Sequence, residues 1–176
     1  MTGIEIRISG SGGQGVITAG IILAEAALLD GKNALQSQSY GPEARGGASK
    51  AEVIISEEDI DYPKVTAPHI LLALTQEAFN NYSGGMTADG VILADASVTV
   101  SSGHKVYSLP LLETAQKQLR PVVANIVALG AMARITGCVT LPSLELAVLA
   151  RVPKGTEDLN KRALAAGVAL AEEILK

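Results

Sequence analysis

The sequence predicts an α/β fold, a Rossmann-like three-layer sandwich whose mainly parallel sheet has helices on both faces. Short apolar runs typical of buried strands alternate along the chain with longer stretches of helical periodicity. The composition is 48% hydrophobic and only 3% aromatic, so Ala, Val, Ile and Leu must fill the core. The 176 residues contain no repeat, low-complexity tract or linker. We therefore expect one domain spanning residues 1–176.

The first half of the chain predicts three strands and one helix. Residues 4–9 form a strand-like run, and residues 16–30 have helical periodicity. Gly31 then occupies the position of a helix C-cap glycine. Residues 33–38 predict a second strand, although they lack β-branched side chains. Residues 49–55 alternate apolar and polar side chains, which is typical of a half-buried strand.

The second half continues the alternation of strands and helices. Strands are predicted at 70–74, at 91–94 and, on an edge of the sheet, at 105–108; helices are predicted at 76–82, 110–119, 122–135 and 142–150, and after Thr156. Helix 122–135 is apolar nearly all round. Such a helix lies either at the centre of a domain or at a subunit interface.

Composition and charge exclude several classes of function. The net charge is −4 without a basic cluster, so nucleic acid is not an expected partner. No apolar run approaches the length of a membrane span, and no leader precedes the first strand, so we expect a cytoplasmic protein. Cys138 is alone and cannot hold a cluster that needs four thiolates. His69 and His104 lack ligand spacing, so no metal site is expected on this chain.

A glycine turn follows the first strand and leads directly into the first helix. Gly10, Gly12 and Gly15 fit the G-x-G-x-x-G pattern of dinucleotide-binding proteins. Gly13 adds a further glycine, and Gln14 adds an amide donor and acceptor. The N–H groups of the following helix favour an anion at this position. The pattern therefore predicts a phosphate-binding turn, with glycines that serve only strand–helix packing as the alternative.

The dinucleotide interpretation lacks its second element. An acidic residue should end the second strand and bind the adenosine ribose. Residues 33–38 contain neither an acid nor an arginine, and no Gly-Lys-Ser/Thr ends the turn as in a nucleotide-binding P-loop.

A second glycine-rich loop follows strand 33–38. After Ser39 it consists of Tyr40, Gly41, Pro42, Glu43, Ala44, Arg45, Gly46 and Gly47. Arg45 carries a planar fork suited to carboxylate or phosphate, or it pairs locally with Glu43. Because both loops leave the carboxyl ends of what we expect to be neighbouring strands, they are predicted to meet where such sheets bind ligands. Asn125, in the apolar helix, is either a structural hydrogen-bonding residue or part of an interface or site.

These segments together resemble a known family. The runs Gly10–Val16, Ser39–Gly47 and Asn125–Gly130 resemble the gamma subunit of the 2-oxoacid:ferredoxin oxidoreductases, and the similarity extends over essentially the whole chain. The resemblance implies an assembly with alpha, beta and ferredoxin-like delta subunits that oxidatively decarboxylates a 2-oxoacid. It also implies thiamine diphosphate with magnesium, coenzyme A and [4Fe–4S] clusters, which transfer electrons to ferredoxin and are held mainly by other subunits. The run Ala44–Glu52 is more similar to 2-oxoglutarate-type relatives than to pyruvate-type ones.

The sequence agrees with that division of labour. Ala88-Asp89-Gly90 approaches the thiamine-binding pattern but lacks the downstream Asn pair. We therefore expect a chain that is inactive alone and that presents its two loops to a partner's active site, with coenzyme A as a candidate ligand. Two alternatives remain open: a stand-alone nicotinamide- or flavin-binding oxidoreductase, and a non-catalytic scaffold.

Overall fold

The computed structural model describes residues 3–39 and 47–176. In the described residues, the strands are β1 (Gly3–Ser11), β2 (Asn33–Gln38), β3 (Ala48–Ser56), β4 (Ile70–Ala73), β5 (Val91–Asp95) and β6 (Lys105–Leu109). The helices are α1 (Val16–Leu29), α2 (Gln76–Tyr82), α3 (Leu111–Gln118), α4 (Ala124–Thr136), α5 (Leu141–Arg151) and α6 (Glu157–Ile174), with a 3₁₀ turn at Pro121–Val123. The predicted elements are all present, with boundaries shifted by a residue or two.

The strands form one sheet in the order β2-β3-β1-β4-β5-β6. Strands β1, β4, β5 and β6 are parallel, with Ile6 beside Ile70 and Ile70 beside Val91. β3 is antiparallel to both of its neighbours, so β2 runs in the same direction as β1. The prediction of a mainly parallel α/β sheet is confirmed, and β6 lies at the edge as predicted.

The expected neighbour relation of the first two strands is wrong. β3 lies between β1 and β2, with Ile55 paired to both Ile4 and Ala34. The chain leaves β2 at the end of the sheet where β1 also ends, and it returns through β3 from that same end. The second loop therefore still begins and ends beside the glycine turn, although β2 itself is not adjacent to β1.

Helices cover both faces of the sheet unequally. The main core lies on the face of Ile6 and Ile8, where α1, α3, α4, α5 and α6 contribute buried side chains. On the opposite face, the small cluster consists of Leu71, Ala73, Phe79, Ile92, Ala94 and Val98, and α2 contributes Phe79. The two faces differ because helices α3 to α6 carry many apolar side chains, which are buried together in one large core.

Helix α4 is buried within the chain itself. All residues from Ala124 to Ala133 are buried, and α6 packs along the helix so closely that backbones touch. A Cβ added to Gly167 would overlap the Val127 carbonyl oxygen, and one added to Gly130 would lie 2.5 Å from the Leu164 carbonyl oxygen. The apolar side chains on all sides of α4 thus pack against other parts of this chain. They give no argument for association with other subunits.

The end of the sheet at which β1, β4, β5 and β6 terminate is here called the carboxyl edge. Asp95 is buried there, at the end of β5. Its carboxylate accepts hydrogen bonds from the Leu112 N–H (2.9 Å), from the Ser97 N–H (3.0 Å) and from the Ser97 hydroxyl (2.6 Å). Asp95 therefore caps the start of α3 and is a structural residue. Within the described residues, no helix has the length and apolar content needed to cross a membrane.

Candidate functional site

The glycine turn, residues 10–15, lies at the carboxyl edge between β1 and α1. Gly13 and Gly15 have φ angles of 90° and 73°, a backbone region that side chains disfavour. Gly15 is the N-cap residue of α1, and it provides no side chain to accept from the first helical N–H groups. The turn thus depends on glycine for its shape, and it leaves the start of α1 without a side-chain cap.

The side chain of Gln14 forms a hydrogen bond across the glycine turn. Its Oε1 accepts a hydrogen bond from the Ser11 N–H at 2.7 Å, and a Cβ on Gly10 would lie 2.5 Å from that oxygen. Gly10 therefore makes room for the Gln14 side chain. No residue of the described chain accepts from Nε2 of Gln14, which leaves this donor available at the carboxyl edge.

Asn125 holds the other end of the turn. Its Nδ2 donates to the Gly15 carbonyl oxygen at 3.1 Å, and its Oδ1 accepts from the Ile126 N–H at 2.9 Å. The side chain is 8% exposed, and a Cβ on Gly15 would overlap its amide nitrogen. These bonds give Asn125 a structural role, which is to position the last glycine of the turn, and its place in an interface or site stays a prediction.

The second glycine-rich loop joins the glycine turn through its final residue. The Gly12 N–H donates to the Gly47 carbonyl oxygen at 3.1 Å, and Ala48 begins β3 opposite Ser11. The other candidate residues of this loop, namely Tyr40, Gly41, Pro42, Glu43, Arg45 and Gly46, lie outside the described residues. What the structure brings together is therefore the glycine turn, the end of the second loop and Asn125.

The start of α1 opens on a depression of about 450 Å³, here called the front depression. It is lined by Ser11, Gly12, Gly13, Gly15, Val16, Ile17, Thr18 and Ser49. No acidic residue lies in the first turn of α1, whereas α2 and α5 each begin at a threonine, Thr75 and Thr140, whose hydroxyl accepts from the helix. Uncapped N–H groups and the positive end of the helix dipole together favour an anion in the front depression.

Two further hollows adjoin the turn at Gly13. One, of about 360 Å³, is here called the side cleft; it extends between α1, α4 and α6. The other, of about 510 Å³, lies toward α3 and includes Gln14 and Gln116. Val122, which is 73% exposed, lines both of these hollows. No local sequence pattern marks Val122 or Asn160 as a residue of the side cleft, because both line it only through tertiary packing.

The histidines and the cysteine have structural surroundings. His69 Nδ1 accepts from the Glu5 N–H at 3.0 Å, and His104 Nε2 lies 2.9 Å from the Thr87 carbonyl oxygen. Cys138 is buried just after α4, and burial raises the pKa of its thiol above the ordinary value. In residues 3–39 and 47–176, no group of three His, Cys, Asp or Glu side chains is arranged to hold a metal ion.

Comparisons with known proteins place the chain among subunits of one enzyme class. A family model described as pyruvate ferredoxin/flavodoxin oxidoreductase matches residues 5–170. The 2-oxoglutarate synthase subunit KorC of Methanocaldococcus jannaschii is 48% identical, over 97% of this chain and 95% of its own length. The crystal structure of a keto/oxoacid ferredoxin oxidoreductase gamma subunit from Geobacter sulfurreducens is 47% identical, has a TM-score of 0.90 and matches over 98% of both chains.

A third comparison concerns the fold alone. A 2-oxoglutarate:ferredoxin oxidoreductase from Magnetococcus marinus, solved with 2-oxoglutarate, coenzyme A and succinyl-CoA bound, has a TM-score of 0.86 at 22% identity. The match covers 98% of this chain and 32% of that chain.

Proposed function

The chain belongs to the pyruvate ferredoxin/flavodoxin oxidoreductase family, as the gamma subunit of a 2-oxoacid:ferredoxin oxidoreductase, and we propose that its assembly acts on 2-oxoglutarate. One observation supports this substrate, in line with the resemblance of the run Ala44–Glu52 inferred from the sequence. The relative at 48% identity is a 2-oxoglutarate synthase subunit. The proposed reaction converts the 2-oxoacid and coenzyme A to acyl-CoA and CO₂ and transfers the electrons to ferredoxin.

The proposed role of this chain is to bind coenzyme A beside a partner's active site. The single observation that carries the proposal is the uncapped start of α1 at the glycine turn, which opens on the front depression. Main-chain N–H groups of this turn suit a phosphate of coenzyme A. Nε2 of Gln14, which has no acceptor in residues 3–39 and 47–176, adds a side-chain donor, and Arg45 of the second loop is the proposed cationic partner.

The remaining chemistry is assigned to other subunits. Thiamine diphosphate with magnesium would supply the decarboxylation, and [4Fe–4S] clusters would transfer the electrons. The sequence contains one cysteine and no complete thiamine-binding pattern, which supports placing both groups on alpha, beta and ferredoxin-like delta partners. In this proposal the present chain contributes ligand-binding and partner-facing loops, while a cytoplasmic location stays a prediction from the sequence.

The division of labour has a direct test. The purified chain, supplied with 2-oxoglutarate, thiamine diphosphate, magnesium and coenzyme A, should not reduce a viologen dye. The same chain added to its partner subunits should restore the activity. Robust dye reduction by the chain alone would overturn the proposal and favour the stand-alone oxidoreductase.

The coenzyme A role is tested by Gln14→Ala and Arg45→Ala in the reconstituted complex. Both substitutions should raise the KM for coenzyme A, while 2-oxoacid-dependent viologen reduction without coenzyme A should change little. His104→Ala is the control, because this half-buried residue precedes β6 at the end of the sheet opposite to the carboxyl edge. Unchanged coenzyme A kinetics in both variants of a normally assembled complex would favour a scaffold role for the loops.

A further inference from the structure

The last turn of α1, at the end of the helix opposite to the glycine turn, carries an exposed apolar surface. Leu28 and Leu29 are 56% and 55% exposed, and Leu146 of the neighbouring helix α5 is 61% exposed. These three leucines and the exposed Ala150 border one hollow and are here called the leucine patch. Single apolar side chains are common on soluble surfaces, whereas a contiguous group of them indicates an interaction surface.

Helix α1 has the composition of a buried helix. Glu25 is the only charged residue among its 14 residues. Ile21, Ala24 and Leu28 have the i, i+3 and i+7 spacing of one helix face, and this face is only partly covered, since Ile21 and Ala24 are half-buried and Leu28 is exposed. In α4, by contrast, the apolar residues are buried within the chain. The end of α1 is therefore suited to burial that the single chain does not provide.

The leucine patch contains both projecting side chains and a hollow that can receive them. The hollow has a volume of about 360 Å³ and lies between α1 and α5; its lining residues are Glu25, Leu28, Leu29, Leu146, Ala147 and Ala150. In a pair related by a two-fold axis, the same surface of each copy supplies both the projection and the hollow. The patch is therefore complementary in shape to a second copy of itself.

The charges at the patch also favour a second copy. The charged residue that lines the hollow is Glu25, and its Oε1 accepts from Arg151 Nη2 at 2.6 Å. Because this pair is neutral and already formed, covering it leaves no unpaired charge in an interface. A strongly basic or strongly acidic partner finds no excess charge here to recognise, whereas two copies meet without like-charge repulsion at this surface.

The size of the leucine patch sets the expected strength of the association. Three half-exposed leucines offer roughly 300 Å² of apolar surface, which is less than the roughly 800 Å² per partner of a standard stable interface. Two copies should therefore associate weakly, with a dissociation constant in the micromolar range.

We propose that the leucine patch is a self-association surface through which two copies of this chain pair about a two-fold axis. Helices α1 and α5 of one copy then face the same helices of the other, and the glycine turn stays open at the far end of α1. This inference does not depend on the coenzyme A role, because that role concerns the opposite end of the helix.

Sedimentation equilibrium of the purified full chain measures the pairing. The average mass of the native chain should approach that of a dimer as its concentration rises to about 100 µM. Leu29→Lys and Leu146→Lys should each raise the dissociation constant by about tenfold or more, because a solvated charge replaces an apolar contact on both copies. Both leucines are more than half exposed, so urea denaturation should show nearly unchanged stability.

The matched control is Leu175→Lys. It makes the same leucine-to-lysine change at an exposed residue that ends α6, outside the leucine patch. Its dissociation constant should equal that of the native chain, so a general effect of the added charge is separated from an effect of the patch.

Cross-linking tests the same surface in the assembled oxidoreductase. Leu29→Cys and Leu146→Cys each place a thiol on the patch, whereas the control Asn81→Cys places one on α2 at the opposite face of the sheet. The native Cys138 is buried. A short bismaleimide should join two copies of this chain through at least one of the patch thiols and not through Asn81→Cys.

Three results would overturn the inference. It is wrong if the native chain stays monomeric at about 100 µM, if Leu29→Lys and Leu146→Lys associate as tightly as Leu175→Lys, or if the patch thiols cross-link only to other subunits. The third result, together with failed assembly of Leu29→Lys with its partner subunits, would identify a different subunit as the occupant of the patch. None of these results changes the coenzyme A KM test of the proposed function.

Discussion

The glycine turn and the crossing of α4 with α6 both depend on glycine, for opposite reasons. At the crossing, Gly130 and Gly167 let two helix backbones touch and leave no space. At the turn, Gly13 and Gly15 both have positive φ angles, and a Cβ on Gly13 would meet no atom within 4 Å, where the front depression and the side cleft adjoin. The crossing uses the missing Cβ to close the core, and Gly13 uses it to keep a surface open. The presence of glycine alone therefore does not distinguish packing from binding.

The largest effect on stability is expected at the crossing. Gly167→Ala would place a methyl group against the Val127 carbonyl oxygen, and relief would require repacking of α4, whose residues Ala124–Ala133 are all buried. The free energy of unfolding should fall by about 3 kcal/mol or more. Urea denaturation of the purified chain measures this value. A loss below about 1 kcal/mol would mean that the helices can separate, and it would contradict the view that glycine serves close packing at this crossing.

The next effect is expected at the closed end of the turn. Gly15→Ala combines strain at a φ of 73° with overlap against the Asn125 amide. The expected loss is about 2 kcal/mol, less than at the crossing because the amide is a side chain that can rotate. The same denaturation experiment on Gly15→Ala, Asn125→Ala and Gly15→Ala/Asn125→Ala separates the two causes. If the double variant is no more stable than predicted from additive single losses, the contact with Asn125 is not the cause.

A smaller loss of stability is expected at Gly13. This residue has a φ of 90°, but a Cβ there would meet no atom within 4 Å. Gly13→Ala should therefore cost about 1 kcal/mol from backbone strain alone. Because Gly13 lines the front depression and the side cleft, the same methyl should weaken coenzyme A use by the complex. Gly13→Ala with normal coenzyme A kinetics would show that these depressions do not serve that ligand.

Asp30 lies in neither region and sets a pH dependence common to these variants. Its carboxylate accepts from the Thr140 N–H at 2.8 Å and from the Thr140 hydroxyl at 2.6 Å, at the start of α5. Burial opposes the charged form, but hydrogen bonds from Ser143 and Thr140 and the charge of Lys32 outweigh it, so the pKa of Asp30 lies below its ordinary value.

The lowered pKa has a defined sign for stability. The contribution of Asp30 is present above the unfolded pKa of about 4, and it is lost as the pH falls through the lower folded pKa. Asp30→Asn should therefore reduce stability at pH 7 and flatten its decline below about pH 4. Unfolding free energies measured across this range check the expectation. If the free energy of unfolding of Asp30→Asn falls at acidic pH as steeply as that of the native chain, Asp30 does not contribute to this decline.

The order and type of the elements could be predicted from the sequence because both follow from local periodicity. Residues 33–38 form a strand as predicted despite lacking β-branched side chains, because β3 pairs along their whole length. The position of β3 between β1 and β2 could not be predicted, since alternation of apolar and polar residues does not identify a pairing partner. Thr156 marks the start of α6 as predicted, yet its hydroxyl donates to Pro153 and does not cap the helix.

The candidate site was predictable only in part. The spacing of Gly10, Gly12 and Gly15 predicts the turn, because this pattern can be recognised in the sequence alone. The bond between Asn125 and Gly15 joins residues 110 positions apart, and the side cleft forms only where α1, α4 and α6 pack together. Such contacts leave no local pattern. The sequence could therefore indicate where a ligand binds but not which residues shape the surface around it.

The central claim is that the glycine turn binds a phosphate of coenzyme A, and Gln14→Glu tests it most directly. Glutamate keeps an oxygen that can accept from the Ser11 N–H, as Gln14 does now, but it replaces the amide donor with a second oxygen and adds a negative charge. The predicted result in the assembled oxidoreductase is a KM for coenzyme A raised by about tenfold or more, with viologen reduction in the absence of coenzyme A unchanged. An unchanged KM for coenzyme A in the normally assembled complex would contradict the claim.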